Sequence, residues 1–163
     1  MASGLSLFLP GGEDAPPVDI VAPFLIFDSA DGEGHIDCFV RGADVLRQPL
    51  LNKGTAFSAA ERRALGLEGL IPARISTLEE QVERAYAAFQ SHPDALTRHL
   101  YLRALQERQE ILYYALLTKH LEELLPIVYT PTVGDSVQRA GRFSETTRGL
   151  TLSAASIDAA ARL

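Results

Sequence analysis

Cysteine is all but missing from this chain: Cys38 is the only one in 163 residues. A single thiol forms no intrachain disulfide and no cysteine-rich metal site, and that usage suits a reducing compartment. Lysine is nearly as scarce, with Lys53 and Lys119 the only two among 15 basic residues. The other cations are arginines, good at fixed bidentate contacts with carboxylates and poor at transferring protons. No Lys/Arg run occurs, and 21 acidic residues give a net charge of −6, which argues against a nucleic-acid surface. No apolar run approaches the roughly 20 residues that a membrane span requires. Met1 to Phe8 is apolar but lacks a basic n-region, and Pro10-Gly11-Gly12 cuts it short, so it makes a poor signal peptide. A soluble, cytoplasmic protein with neither nucleic-acid nor membrane partners is expected.

Several motifs are absent too. There is no Gly-x-Gly-x-x-Gly, no Walker A loop and no Gly-x-Ser-x-Gly elbow, hence no visible nucleotide site or serine nucleophile. Glu122 and Glu123 are adjacent and on a helix do not share a face, so they make a poor two-carboxylate pair. His99 and His120 fall on separate helical stretches, as surface residues or core-edge donors, and no further ligands stand at zinc spacing. Nothing repeats at a fixed period. Taken alone, the chain lacks the parts list of a complete enzyme.

What is present is enough chain for one compact domain with a real core. Gly11 to Pro17 is turn-rich. Val18 to Asp28 reads as extended, and Asp31-Gly32-Glu33-Gly34 as a hairpin turn into His35-Ile36-Asp37-Cys38-Phe39-Val40. From Ser58 the period becomes helical. Ser58-Ala59-Ala60-Glu61 and Thr77-Leu78-Glu79-Glu80 are capping boxes, the first helix stopping near Gly66. Leu78, Val82, Ala85, Tyr86 and Phe89 recur at helical spacing. Ser91-His92-Pro93-Asp94 ends that helix and starts another with Leu96, Leu100 and Leu105 on its apolar face. Glu107 to Leu125 continues helically until Pro126 breaks it. Gln106-Glu107-Arg108-Gln109-Glu110 is a polar run, either a solvated face or an arginine held between carboxylates at an interface or anion site. Arg148 to Ser153 reads as a strand and Ser156 to Leu163 as an opening helix.

The most informative stretch is Pro126-Ile127-Val128-Tyr129-Thr130-Pro131-Thr132-Val133-Gly134. Thr130 is a good N-cap and Pro131 a good first helical residue, since the amide it lacks would be unpaired there. The predicted helix runs to about Arg142. Tyr129 would then lie near the positive end of a helix, which favours a phenolate and makes it a candidate acid or base. The plainer reading makes it a half-buried aromatic that anchors the turn.

These residues carry a resemblance. Leu50-Leu51-Asn52-Lys53-Gly54-Thr55-Ala56-Phe57, Leu65-Gly66-Leu67-Glu68-Gly69-Leu70-Ile71-Pro72, Tyr101-Leu102-Arg103-Ala104-Leu105-Gln106-Glu107-Arg108, the Tyr129 block and Arg148-Gly149-Leu150 occur in order. Together they resemble the N-terminal domain of the malic enzymes over roughly residues 41 to 155; the malolactic enzymes share the blocks. The resemblance implies oxidative decarboxylation of L-malate to pyruvate with NAD or NADP and Mg²⁺ or Mn²⁺, in a homodimer or homotetramer. It implies that Tyr129 protonates the enolpyruvate at C3. The family's catalytic lysine, metal ligands, malate-binding arginine and dinucleotide domain fall further along the family sequence than Leu163. Neither Lys53 nor Lys119 matches that lysine's motif. The stretch is therefore expected to bind none of these cofactors alone and not to turn over malate alone.

Arg84 and Arg108 match two arginines with which some animal members bind a dicarboxylate activator at the dimer interface. A nearby family glutamate is Ser76 here, so the pair serves either dimer packing or a regulatory anion. Arg142 to Arg148 departs from a more basic, proline-containing family stretch. The expected architecture is mainly α: an extension with a β-ribbon over 1–49, a helical malic-enzyme-type domain over 50–147, and the start of an α/β domain, with its first strand, over 148–163. Two alternatives stand beside it: a free-standing helical interaction module without catalysis, and a malolactic enzyme fragment.

Overall fold

Helix-start chemistry written within four residues organises most of the described chain. The computed structural model describes residues 6–8, 24–27 and 35–139. Ser58 accepts the Glu61 amide at 3.2 Å while the Glu61 carboxylate accepts the Ser58 amide at 2.8 Å, opening α2 (Ala59–Leu65). Thr77 and Glu80 repeat the exchange at 3.1 and 3.0 Å to open α3 (Leu78–Ser91). Asp94 caps α4 (Ala95–Arg108) through the Thr97 amide at 2.9 Å. Each reciprocal pair satisfies amides that a helix start leaves without partners. Gly66 ends α2 at φ 68°, a left-handed cap open to glycine at little cost.

The expected β-ribbon is present. β2 (Phe24–Phe27) pairs antiparallel with β3 (His35–Cys38), Ile26 opposite Ile36; the turn expected at Asp31 to Gly34 lies outside the described residues. A third strand, β1 (Ser6–Phe8), joins β3 in parallel, giving the order β1-β3-β2. Three residues are too few for alternation to show, so it was not legible as a strand.

Two apolar clusters follow. Ile36 and Cys38 of β3 are buried with Val45 of the short α1 (Ala43–Arg47), Leu51, Phe57, Leu65 and Leu67. Arg62 of α2 is buried beside them and donates to five carbonyls, those of Phe57, Thr55, Pro72, Ala73 and Arg74, at 2.7–3.3 Å. The second cluster joins Val82, Ala85 and Phe89 of α3 to Leu102 and Leu105 of α4, with Leu112, Tyr113, Leu116 and Leu124 from the helices that follow.

Those helices correct the expectation of one helix from Glu107 to Leu125. The chain breaks at Gln109 and again at His120, giving α5 (Glu110–Lys119) and α6 (Leu121–Val128). The first break is stabilised from elsewhere: Asn52 donates to the Arg108 carbonyl at 3.1 Å, and the Glu110 amide donates to the Pro49 carbonyl at 3.0 Å. Backbone groups that a continuous helix would use are thus paired with Pro49 and Asn52. Pro126, expected to stop the helix, lies inside α6. The proline and Glu122, whose carbonyl it leaves unbonded, are both exposed, so water can satisfy that carbonyl.

A candidate active site at the Tyr129 turn

Tyr129 terminates α6, its amide donating to the Leu125 carbonyl at 2.9 Å. Its own carbonyl accepts the Val133 amide at 2.9 Å, and the Thr132 hydroxyl donates to the Pro126 carbonyl at 2.9 Å. Three bonds therefore fix the turn through backbone and Thr132, which is buried. The side chain of Tyr129 takes no part and is 66% exposed. This differs from the half-buried anchor that the plainer reading expected. The next helix also differs: α7 is Thr132–Gln138, with Pro131 rather than Thr130 at its cap and no side-chain cap bond. The hydroxyl that serves the turn is Thr132's, spent on Pro126, and α7 ends before Arg142. The Thr130–Pro131 peptide is cis.

The two lysines are committed elsewhere. Lys53 pairs with Glu61 at 2.7 Å. Lys119 lies 2.5 Å from both Glu79 and Glu83; these carboxylates raise its pKa, while Lys119 lowers that of Glu83. Each lysine is thus held in ion pairs with glutamates of α2 or α3. Glu123 accepts the Tyr86 hydroxyl at 2.6 Å and holds that phenol protonated, its pKa raised. The Tyr86 ring stacks on His120, centroids 3.7 Å apart. Of the adjacent glutamates, Glu123 is thus a structural acceptor.

His99 is buried in the core edge, with Nδ1 2.8 Å from the Ile127 carbonyl. It steadies the last turn of α6, just before Tyr129. Among the described residues no three His, Cys, Asp or Glu side chains gather as metal ligands. The described side chains therefore do not fit a divalent metal.

Arg84 lies on the exposed face of α3 and lines a shallow groove of about 270 Å³ with Gln81, Tyr101 and Gln109. Arg108 ends α4, and its charge acts on the same Tyr101, against the burial that raises that phenol's pKa. The two arginines therefore border one tyrosine, whose hydroxyl donates to the Ala85 carbonyl at 3.1 Å. No ion pair holds Arg108 among the described residues, so the flanking glutamates do not clamp it. Ser76 is buried, its amide on the Thr55 carbonyl at 3.1 Å.

Sequence reading missed a cavity of about 390 Å³ behind the Tyr129 turn, to which Arg103, Gln106 and Val133 contribute. No local signal marks it, because its walls come from α4, α5, α6 and α7.

Residues 106–162 match the family model of the malic enzyme N-terminal domain. The chain is 49% identical over 121 residues to NAD-dependent malic enzyme 3 of Bacillus subtilis, covering 74% of this chain and 21% of that protein. It is 50% identical over 112 residues to the NAD-dependent malic enzyme of Idiomarina loihiensis, 69% of this chain and 20% of that protein. The protein of the same name from Pseudomonas aeruginosa is 48% identical over an equal span, with the same coverage. The matched stretch thus spans about a fifth of the length of these curated relatives.

Proposed function

We propose that this chain is the N-terminal part of a malic enzyme and supplies a proton donor and an assembly surface to an enzyme that converts L-malate to pyruvate and CO₂. The observation that carries the reading is the placement of Tyr129. Its backbone is tied on both sides while its phenol stands in solvent. A reactive group presented on a rigid turn suits a site completed by other parts of a protein.

The step assigned to Tyr129 is the last. Loss of CO₂ from an oxaloacetate-like intermediate leaves enolpyruvate, nucleophilic at C3. The Tyr129 O–H bond breaks, its proton goes to C3, and the enolate oxygen becomes the pyruvate carbonyl. The phenolate then recovers a proton from solvent or a neighbouring acid. NAD, named in the relatives' descriptions, would accept the hydride from C2 of malate. That oxidation and the polarisation of the carbonyl are assigned to groups outside the described residues.

Arg84 and Arg108, both bordering Tyr101, are read as cations of the surface where a second copy packs. Ser76 in place of the family glutamate supports packing over dicarboxylate activation. A cytoplasmic homodimer or larger homo-oligomer completes the reading.

The experiment is an assay of the full-length protein with malate, NAD and Mg²⁺ or Mn²⁺, following NADH and pyruvate together. Equal formation of both is expected. Lactate without net NADH would favour the malolactic relative, and no turnover of malate would favour a non-catalytic interaction module.

A further inference from the structure

Behind the Tyr129 turn, the cavity of about 390 Å³ falls in the roughly 300–1,000 Å³ range of small-molecule sites. One side is apolar, built from Leu102, Val128, Val133 and Val137. Arg103 and Gln106 enter the lining from α4, three residues apart and so on one helix face. Arg103 is half-buried and donates through Nη1 to Gln106 Oε1 at 2.8 Å. It meets no carboxylate among the described residues, and the lining contains no Asp or Glu. Other arginines show the contrast: Arg47 and Arg74 pair with Asp44 and Glu80, and Arg62 is saturated by carbonyls. Burying a cation is costly without a partner, and a guanidinium bonded to one amide oxygen keeps donors in the fork geometry that matches a carboxylate.

We propose that this cavity binds a short aliphatic monocarboxylate, its carboxylate on Arg103 and the Gln106 amide N–H, its carbon body against the valine and leucine wall. The count of charges sets the class. One guanidinium matches one carboxylate, and the other polar side chains of the lining, His99, Tyr113 and Ser136, bring no second guanidinium or ammonium. The proposal is independent of proton transfer by Tyr129. Occupancy would still reach the turn, because Val128 and Val133 flank it and the Val133 amide holds the Tyr129 carbonyl.

The test is calorimetric titration of the full-length protein with isovalerate, with succinate and inorganic phosphate in parallel. Saturable binding of isovalerate is expected, weaker by about tenfold or more in Arg103→Ala, since hydrogen bonds to a charged group carry that much. Val133→Phe, which fills the apolar side, should also weaken binding while far-ultraviolet circular dichroism stays unchanged. If Arg103→Ala does not fold, Gln106→Ala and Val133→Phe decide the matter. No saturable binding to the wild type, binding that the folded variants retain, or tighter binding of succinate or phosphate would overturn the proposal.

Discussion

Asn52 donates to the carbonyl of Arg108 at 3.1 Å, across 56 residues of sequence, and to that of Leu46 at 3.0 Å. Its side-chain oxygen also accepts the Gly54 amide at 2.9 Å. Gly54 sits at φ 58°, where an added Cβ would come within 2.5 Å of Gln81 Oε1 and 2.7 Å of Gln109 Nε2. The Leu50–Phe57 block thus folds against the α4–α5 break and sets where Arg108 stands. Asn52→Ala removes all three bonds and should destabilise the fold by about 1–2 kcal/mol, read from urea unfolding. Asn52→Asp should be worse, because it keeps the acceptor for Gly54 but sets a carboxylate against two carbonyls. Equal stability of Asn52→Asp and wild type would contradict this role.

Arg62 is a second structural polar group, with five carbonyls converging on one guanidinium. Lysine offers three donors from a single point and cannot span them. Arg62→Lys should cost about 2–4 kcal/mol, as several partly buried carbonyls lose their partners. Thermal unfolding that leaves Arg62→Lys level with wild type would refute the assignment.

A pH dependence follows from Asp94. The Thr97 amide holds its carboxyl below the ordinary carboxylate value, about 3.9 in the unfolded chain. Its contribution is therefore fully present above that unfolded value and is lost as pH falls through the lower folded one. Asp94→Asn keeps a capping oxygen but no charge. Wild type should exceed it in stability at pH 6, and the gap should narrow as pH falls below the unfolded value of about 3.9. Glu83, lowered by Lys119, behaves alike in both proteins and cancels. A gap independent of pH would show that the charge of Asp94 contributes nothing.

How much could be read beforehand depended on the range of the determining contact. The caps at Ser58 and Thr77 and the stop at Gly66 need only three or four neighbouring residues, and they form as read. The ribbon of β2 and β3 was legible from apolar bulk flanking a turn sequence. The break at Gln109 was not, because Asn52 and Pro49 impose it from half the described chain away. Pro126 misled for the opposite reason: a local rule was applied at an exposed position where water removes much of its force. Tyr129 was legible through its sequence block, but its exposure was not. That depends on Thr132, rather than Thr130, supplying the hydroxyl that closes the turn.

The measurement that bears most directly on the role of Tyr129 compares full-length wild type with Tyr129→Phe in deuterium oxide during turnover of malate that carries tritium at one of its two C3 hydrogens, so that the methyl formed is chiral. NADH formation, pyruvate formation and the deuterium placed at C3 of pyruvate are followed together. Wild type should deliver deuterium to one face of C3. Tyr129→Phe should form pyruvate more slowly by about 10²–10⁴-fold, as expected when a general acid is lost. Any enolpyruvate it releases should be protonated by solvent on both faces. Unchanged turnover with single-faced labelling in Tyr129→Phe would remove Tyr129 from the chemistry.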